Sequence, residues 1–143
     1  MDTKETIEKH GWLSQFVFDE KGEKQNFAYT IGLEETFSHP EIMIFGLKKE
    51  IMHDIMGGLV AEIKAGQVFQ PDQITTNALG GDFEVMFKPL KEEHFTYYVG
   101  EAERYYKKPF RVYVMFWPDR NNVLPTDAGC ELDLQDEGLE IVD

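Results

Sequence analysis

The chain has 143 residues and a formal net charge of −13, and 42% of its residues are hydrophobic and 13% aromatic. A chain of this length and composition can form one globular domain whose core needs neither a disulfide nor a metal ion. The negative charge argues against direct binding to nucleic acid or to an anionic membrane, and it favours basic partners.

The first half of the chain is predicted to form a short helix followed by three strands. Asp2 and Glu5 have the spacing of a capping box, and Gly11 suits the left-handed residue that ends a helix. Hydrophobic patterns then predict a strand over Trp12–Phe18, a return strand over Phe27–Leu33, a polar loop over Glu34–His39 and a strand over Glu41–Phe45. The last of these strands ends in a continuous apolar run, so we expect it to be buried on both faces at the centre of a sheet.

The second half is predicted to contain two main helices and two strands. The period becomes helical over Lys48–Ala65, where Gly57 and Gly58 mark either close packing against the sheet or a break in the helix. A strand follows from Phe83 to Phe87, then a helix over Lys91–Lys107 and a strand over Phe110–Trp117. The predicted inner side of the second helix comprises Phe95, Tyr98, Val99, Ala102, Tyr105 and Tyr106. This order predicts an α+β fold with a mainly antiparallel sheet and two main helices packed on it, of which a split barrel is one version.

Acidic residues are concentrated at the C-terminus. Residues 127–143 contain seven Asp or Glu and no Lys or Arg, which is −7 of the total charge of −13. We therefore divide the chain into a globular domain, 1–126, and an acidic C-terminal segment, 127–143. The segment is either a solvated acidic tail or a surface for a basic partner, with Asp133, Asp136 and Glu137 as the candidate contacts.

Several short motifs occur together in this chain. They are Gly11-Trp12, the run Phe27–Leu33, His39-Pro40-Glu41, Gly46-Leu47, Gly66 after the long helix, and Trp117-Pro118-Asp119. In this combination the chain resembles, from about Ile7 to Pro125, a bacterial family catalogued as domain of unknown function 4262. Two positions depart from the family pattern: Val114 stands where a Gln is usual, and Thr126 stands where a Trp is usual. If those side chains line a family site, that part of the site is altered here.

Tyr29, Thr30 and Gly32 lie at the end of the predicted return strand. One interpretation is a ligand or partner pocket, in which Gly32 admits close approach and the two hydroxyls bind. The other, which the sequence favours, is a buried tyrosine with a satisfied hydroxyl and a glycine at the bend where the strand stops.

His39 and Glu41 flank Pro40. His39 is a candidate general base with Glu41 close by, because histidine titrates near neutrality. The favoured alternative is a junction between loop and strand, in which His39 bonds to backbone and Glu41 is solvated.

Trp117 and Asp119 close the last strong strand. Asp119 is predicted to cap the following turn through its carboxylate, and its functional alternative is one member of an acid pair. The four histidines lack metal-ligand spacing, and Cys130 lies among acidic residues, which disfavour a reactive thiolate. We therefore predict neither a metal, nor a cofactor, nor a cysteine nucleophile.

Three functions remain open. The first is a protein-binding module of the immunity or inhibitor type that covers the basic surface of a toxin or nuclease. The second is a flavin-like small-molecule binding protein, or an enzyme, of split-barrel type, and the third is a structural or regulatory domain. The single cysteine and the lack of an apolar run of about 20 residues predict a cytoplasmic protein outside the membrane. Exposed aromatic side chains would favour a homodimer.

Overall fold

The protein contains a six-stranded sheet. The computed structural model describes residues 2–22, 25–76, 78–79 and 81–143. The first half contains α1 (Thr3–His10), β1 (Leu13–Val17), β2 (Phe27–Ile31), α2 (Leu33–Phe37), β3 (Glu41–Phe45) and α3 (Lys49–Lys64). The second half contains β4 (Ile74–Thr75), β5 (Val85–Pro89), a 3₁₀ turn (Glu92–His94), α4 (Phe95–Tyr98), α5 (Gly100–Tyr106), β6 (Val112–Phe116) and α6 (Asp136–Ile141).

The strands lie in the order β1-β2-β3-β6-β5-β4. All neighbouring pairs are antiparallel except β3 and β6, which run parallel with Glu41 opposite Val112. The predicted α+β class and the mainly antiparallel sheet are confirmed. The split-barrel version is wrong, because the sheet is open and ends in two separate edge strands, β1 and β4.

Strand β3 is central and fully buried, as its apolar run predicts. Ile42 and Ile44 face the cluster built with α3, whereas Met43 and Phe45 face the cluster built with α4, α5 and α6. This alternation places one layer of helices on each face of the sheet. Among the described residues, no helix combines the length and apolar character needed to cross a membrane.

Three local predictions are corrected by the structure. The polar loop over Glu34–His39 largely forms helix α2. The helix predicted over Lys91–Lys107 is interrupted at Val99, whose backbone (φ −123°, ψ 38°) is not helical. Gly57 and Gly58 mark neither a break nor close packing, because α3 is continuous and a Cβ at either glycine would meet no atom within 4 Å.

The acidic C-terminal segment packs against the sheet. Gly138 of α6 lies against the rings of Phe45 and Phe116, so closely that an added Cβ would stand 3.1 and 3.3 Å from them. Val142 forms a β-bridge with Leu90. The segment therefore contributes apolar residues to the core while most of its carboxylates face solvent.

Candidate functional site

Glu41 is the most buried acid among the predicted site residues, with none of its surface exposed. Its carboxylate accepts hydrogen bonds from the backbone N–H groups of Gly32 (3.3 Å), Leu33 (3.1 Å) and Glu34 (3.0 Å). These are the N–H groups at the start of α2, which has no capping side chain because Gly32 stands at its N-cap. Glu41 therefore caps α2 from the neighbouring strand, and the expectation that it is solvated is wrong.

Two hydroxyls complete the environment of this carboxylate. Thr30 Oγ1 donates to Glu41 (2.8 Å) and accepts from the backbone N–H of Ile42 (2.9 Å). The Tyr106 hydroxyl donates to Glu41 and accepts from the backbone N–H of Gly32 (3.0 Å). Burial raises the pKa of Glu41 to about 7, although the hydrogen bond from Tyr106 and the others oppose the shift.

Tyr29 and Gly32 have mainly structural surroundings. Burial raises the pKa of Tyr29 to about 12, and hydrogen bonds from the backbone of Glu101 and Ala102 offset part of this effect. A Cβ on Gly32 would stand 2.7 Å from the carbonyl oxygen of Gly11 and 2.9 Å from Trp12 Cα, and its φ of +116° is one that glycine tolerates. The space at this strand end is filled by the protein's own chain.

His39 is buried, and both of its ring nitrogens are hydrogen-bonded to backbone. Nδ1–H donates to the carbonyl of Pro40 (2.8 Å), and Nε2 accepts from the N–H of Phe69 (3.2 Å). A nitrogen that accepts from an N–H carries no proton, so this arrangement fixes the neutral ring. Burial also lowers the pKa of His39. The geometry matches the junction interpretation, and the Nε2 lone pair is not available to a substrate.

Trp117 and Asp119 hold the C-terminal segment in place. Gln135 bonds to Trp117 as a strand would: its amide oxygen accepts from Trp117 N–H (2.9 Å), and its amide nitrogen donates to the Trp117 carbonyl (2.8 Å). The Asp119 carboxylate accepts from the N–H groups of Asn121 (2.8 Å) and Val123 (3.0 Å) in the following turn. It also accepts from the N–H of Glu131 (3.0 Å), and these hydrogen bonds lower its pKa. Asp119 is a cap, as predicted, and joins the turn to the acidic segment.

The three acidic candidates differ in their surroundings. Asp133 and Asp136 are exposed. Glu137 is half-buried: its carboxylate accepts from the Tyr98 hydroxyl (2.7 Å) and from the N–H of Gln25 (3.2 Å). Glu137 therefore fixes α6 to the fold, and only the first two carboxylates are presented to solvent.

Three large apolar side chains near these acids are exposed. Phe18 is 60% exposed, Tyr97 64% and Leu134 42%. Phe18 shares one cleft of about 370 Å³ with Leu134, and a second cleft of about 460 Å³ with Tyr97 and Glu137. We call Phe18, Tyr97 and Leu134, together with Asp133, Asp136 and Glu137, the aromatic–acidic surface. Lys21 also lines both clefts, so the charge there is predominantly, not uniformly, negative.

The sequence predictions did not include the apolar half of this surface. Phe18 belongs to the alternating run of the first strand, but it stands one residue beyond β1 and so projects from the sheet. Tyr97 falls outside the predicted inner side of its helix, which was a usable sign of exposure. Leu134 offered no signal, because its segment shows no periodicity. Across the described ranges, no three His, Cys, Asp or Glu side chains converge as a metal site.

The fold and these contacts define a small α+β domain with an open sheet and a packed acidic C-terminal segment. Residues 6–131 match the family described as "Domain of unknown function (DUF4262)", and the chain belongs to that family. No curated protein and no solved structure matches the chain. The family match ends before Asp133, Leu134, Asp136 and Glu137, so four of the six residues of the aromatic–acidic surface lie outside it.

Proposed function

We propose that the protein is a cytoplasmic binding module of the immunity or inhibitor type, which covers a basic surface of a partner protein such as a toxin or nuclease. The observation that carries this proposal is the aromatic–acidic surface, where Phe18 and Tyr97 share a cleft with Glu137, and Leu134 is exposed in the same segment as the exposed Asp133 and Asp136. Binding hot spots combine these elements: large apolar anchors supply affinity, and surrounding charges supply orientation and rate.

Charge supports a basic partner in particular. The whole chain carries −13, and Asp133 and Asp136 are exposed in the same C-terminal segment as Leu134. A field of this sign attracts basic proteins over distances comparable to the Debye length, and the attraction weakens as salt is added. The two clefts can receive lysine or arginine side chains that project from such a partner.

The strand end at Tyr29–Gly32, where the small-molecule alternative places its ligand, is buried, unlike the aromatic–acidic surface. Thr30 and Glu41 are fully buried and hydrogen-bonded to each other, and Gly32 is in contact with the chain at Gly11. Within the described part of the chain, every buried side-chain nitrogen or oxygen has a hydrogen-bond partner. No observation there points to a ligand, which supports the binding-module proposal over that alternative.

The proposal is tested by measuring association with the basic protein that co-purifies at low salt. We expect the association rate to fall steeply with added salt and to fall severalfold in the double variant Asp133→Asn/Asp136→Asn. The matched control is Glu50→Gln/Glu62→Gln, which removes the same charge from exposed positions on α3, across the sheet. Phe18→Ala should weaken the complex by about tenfold or more through faster dissociation.

Two outcomes would overturn the proposal. One is association that does not depend on salt. The other is an equal effect of the two double variants, since charge alone, without this surface, would then explain the binding. Glu137 is left unchanged, because its carboxylate supports the fold through Tyr98 and Gln25.

A further inference from the structure

Strand β1 is an exposed edge of the sheet. In the part of the chain that the structure describes, β1 pairs with β2 alone, and all five of its residues are half-buried. Its sequence, Leu-Ser-Gln-Phe-Val, contains no charged residue and no proline. Natural proteins usually block an edge of this length with such residues, because its free N–H and C=O groups can pair with another strand. The opposite edge, β4, is only two residues long.

A groove runs along this edge. It has a volume of about 410 Å³ and lies between residues 15–18 of β1 and its extension and residues 96–98 of α4, with Gly100, Glu101 and Arg104 of α5 beyond them. Thr96 and Gly100 are small, which leaves space beside the strand. Phe18 and Tyr97 line both this groove and the cleft that contains Glu137. The edge is therefore continuous with the aromatic–acidic surface.

The two sides of the edge differ in chemistry. Phe16 faces the α3 side, where the Lys49 ammonium lies 5.9 Å from its ring centroid. Val17 faces the other side, toward α4 and α5, where the half-buried Glu137 and the exposed Glu101, which pairs with Arg104, line the clefts that Tyr97 also lines. Since side chains alternate along a strand, an added strand would place apolar residues beside Phe16 and basic residues on the side of the carboxylates.

Charge also decides whether this edge pairs with a second copy of the chain or with a basic segment of another protein. A second copy of the chain would bring another −13 and a second aromatic–acidic surface to the same edge. Like charges placed opposite each other across an interface are unfavourable, whereas a basic segment meets complementary charge.

We propose that β1 receives an extended basic segment of the partner as an additional strand, with apolar and basic residues in alternation. This inference rests on the proposed function and specifies how the partner is held. Hydrogen bonds from the free edge of β1 supply affinity, and the alternating side chains supply selectivity.

The test uses a synthetic peptide of alternating lysine and valine, about seven residues long and so able to span β1. Its control has the same sequence with every backbone nitrogen methylated, which keeps the charge and removes the backbone N–H donors at both edges of the peptide. Binding is measured by fluorescence anisotropy at low salt, and backbone amide exchange is measured for residues 13–17. We expect the unmethylated peptide to bind about tenfold or more tightly and to protect β1 amides.

A second comparison locates the site in the groove. Thr96→Lys adds a cation at an exposed groove position, and Thr76→Lys adds the same charge at an exposed position just after β4. The first variant should weaken peptide binding severalfold more than the second, because the added cation repels the basic strand at short range.

The outcomes separate this inference from the proposed function. Equal, salt-dependent binding of both peptides without protection of β1 overturns strand addition and leaves the basic-partner proposal standing. Protection of the same amides without peptide, increasing with protein concentration, assigns the edge to a second copy and also overturns strand addition. Failure of both peptides and of every basic protein to bind at low salt overturns the inference and the proposed function together.

Discussion

At the scale of single residues, the buried carboxylate of Glu41 joins elements that are distant in sequence. It caps α2, whose own N-cap residue is a glycine, and it binds the Tyr106 hydroxyl of α5. Removing a carboxylate from water is unfavourable unless hydrogen bonds replace its hydration. Five donors do so here, and the pKa of about 7 shows that burial still outweighs them.

This balance between burial and hydrogen bonding predicts how the free energy of unfolding depends on pH. The pKa of Glu41 rises from 4.5 to about 7 on folding, so between these values the folded protein holds a proton that the unfolded chain has released. The contribution of Glu41 to the free energy of unfolding is therefore greatest below pH 4.5 and is lost as the pH rises to about 7. At about 1.4 kcal/mol per pKa unit, the change is up to about 3 kcal/mol.

The measurement compares denaturant unfolding of the wild type and Glu41→Gln at the two ends of this range. Other acids titrate in both proteins, so only the difference between them reports Glu41. We expect the wild type to gain stability relative to the variant on acidification. A difference that stays constant with pH would contradict the prediction and would mean that folding leaves the pKa of the Glu41 carboxyl group unchanged.

At the scale of elements, the sequence correctly predicted the features that depend on local hydrophobic patterns. The central position of β3 follows from its continuous apolar run, and the extent of α3 follows from its helical stripe. Helix α2 could not be predicted in this way, because its cap comes from Glu41 and Tyr106. Similarly, α6 is held by contacts of Gly138 with Phe45 and Phe116 that no local pattern in an acidic segment encodes.

The same limit applies to the candidate site. His39 and Asp119 have the backbone-bonding roles that their neighbours in sequence indicate. The exposure of Phe18 and Leu134 instead depends on where β1 ends and where α6 packs, which are tertiary facts. A sequence pattern could predict the acids of the aromatic–acidic surface but not its exposed apolar side chains.

Helix α3 provides a prediction that depends only on local structure. Gly57 and Gly58 lie inside a continuous helix, and a Cβ at either position would enter open space. Glycine in a helix interior costs up to about 1 kcal/mol relative to alanine. Gly57→Ala and Gly58→Ala should therefore each raise the free energy of unfolding by up to about 1 kcal/mol. Gly32→Ala is the contrasting control, because its Cβ would clash with Gly11 and it should destabilise. Destabilisation by either α3 variant would contradict the open environment.

At the scale of the whole molecule, the net charge opposes the compact state. Folding brings the acids of residues 127–143 onto the surface of a chain that already carries −6 elsewhere. Among the described residues of that segment, Glu131 makes one long ion pair with Arg120, at 3.9 Å. Such a distribution favours solubility and attraction of basic partners, but it leaves carboxylates that repel one another.

Added salt should therefore stabilise the protein. Raising the ionic strength from about 0.01 M to about 1 M shortens the Debye length from about 30 Å to about 3 Å, which screens repulsion between exposed acids. The melting temperature should rise by several degrees in sodium chloride, and it should rise less in the double variant Asp127→Asn/Glu140→Gln, which removes two exposed acids of the segment. At low salt this variant should be more stable than the wild type by about 0.5 kcal/mol, a difference that vanishes at high salt. Equal melting curves of the two proteins at low salt would contradict the prediction, because repulsion within the segment would then be negligible.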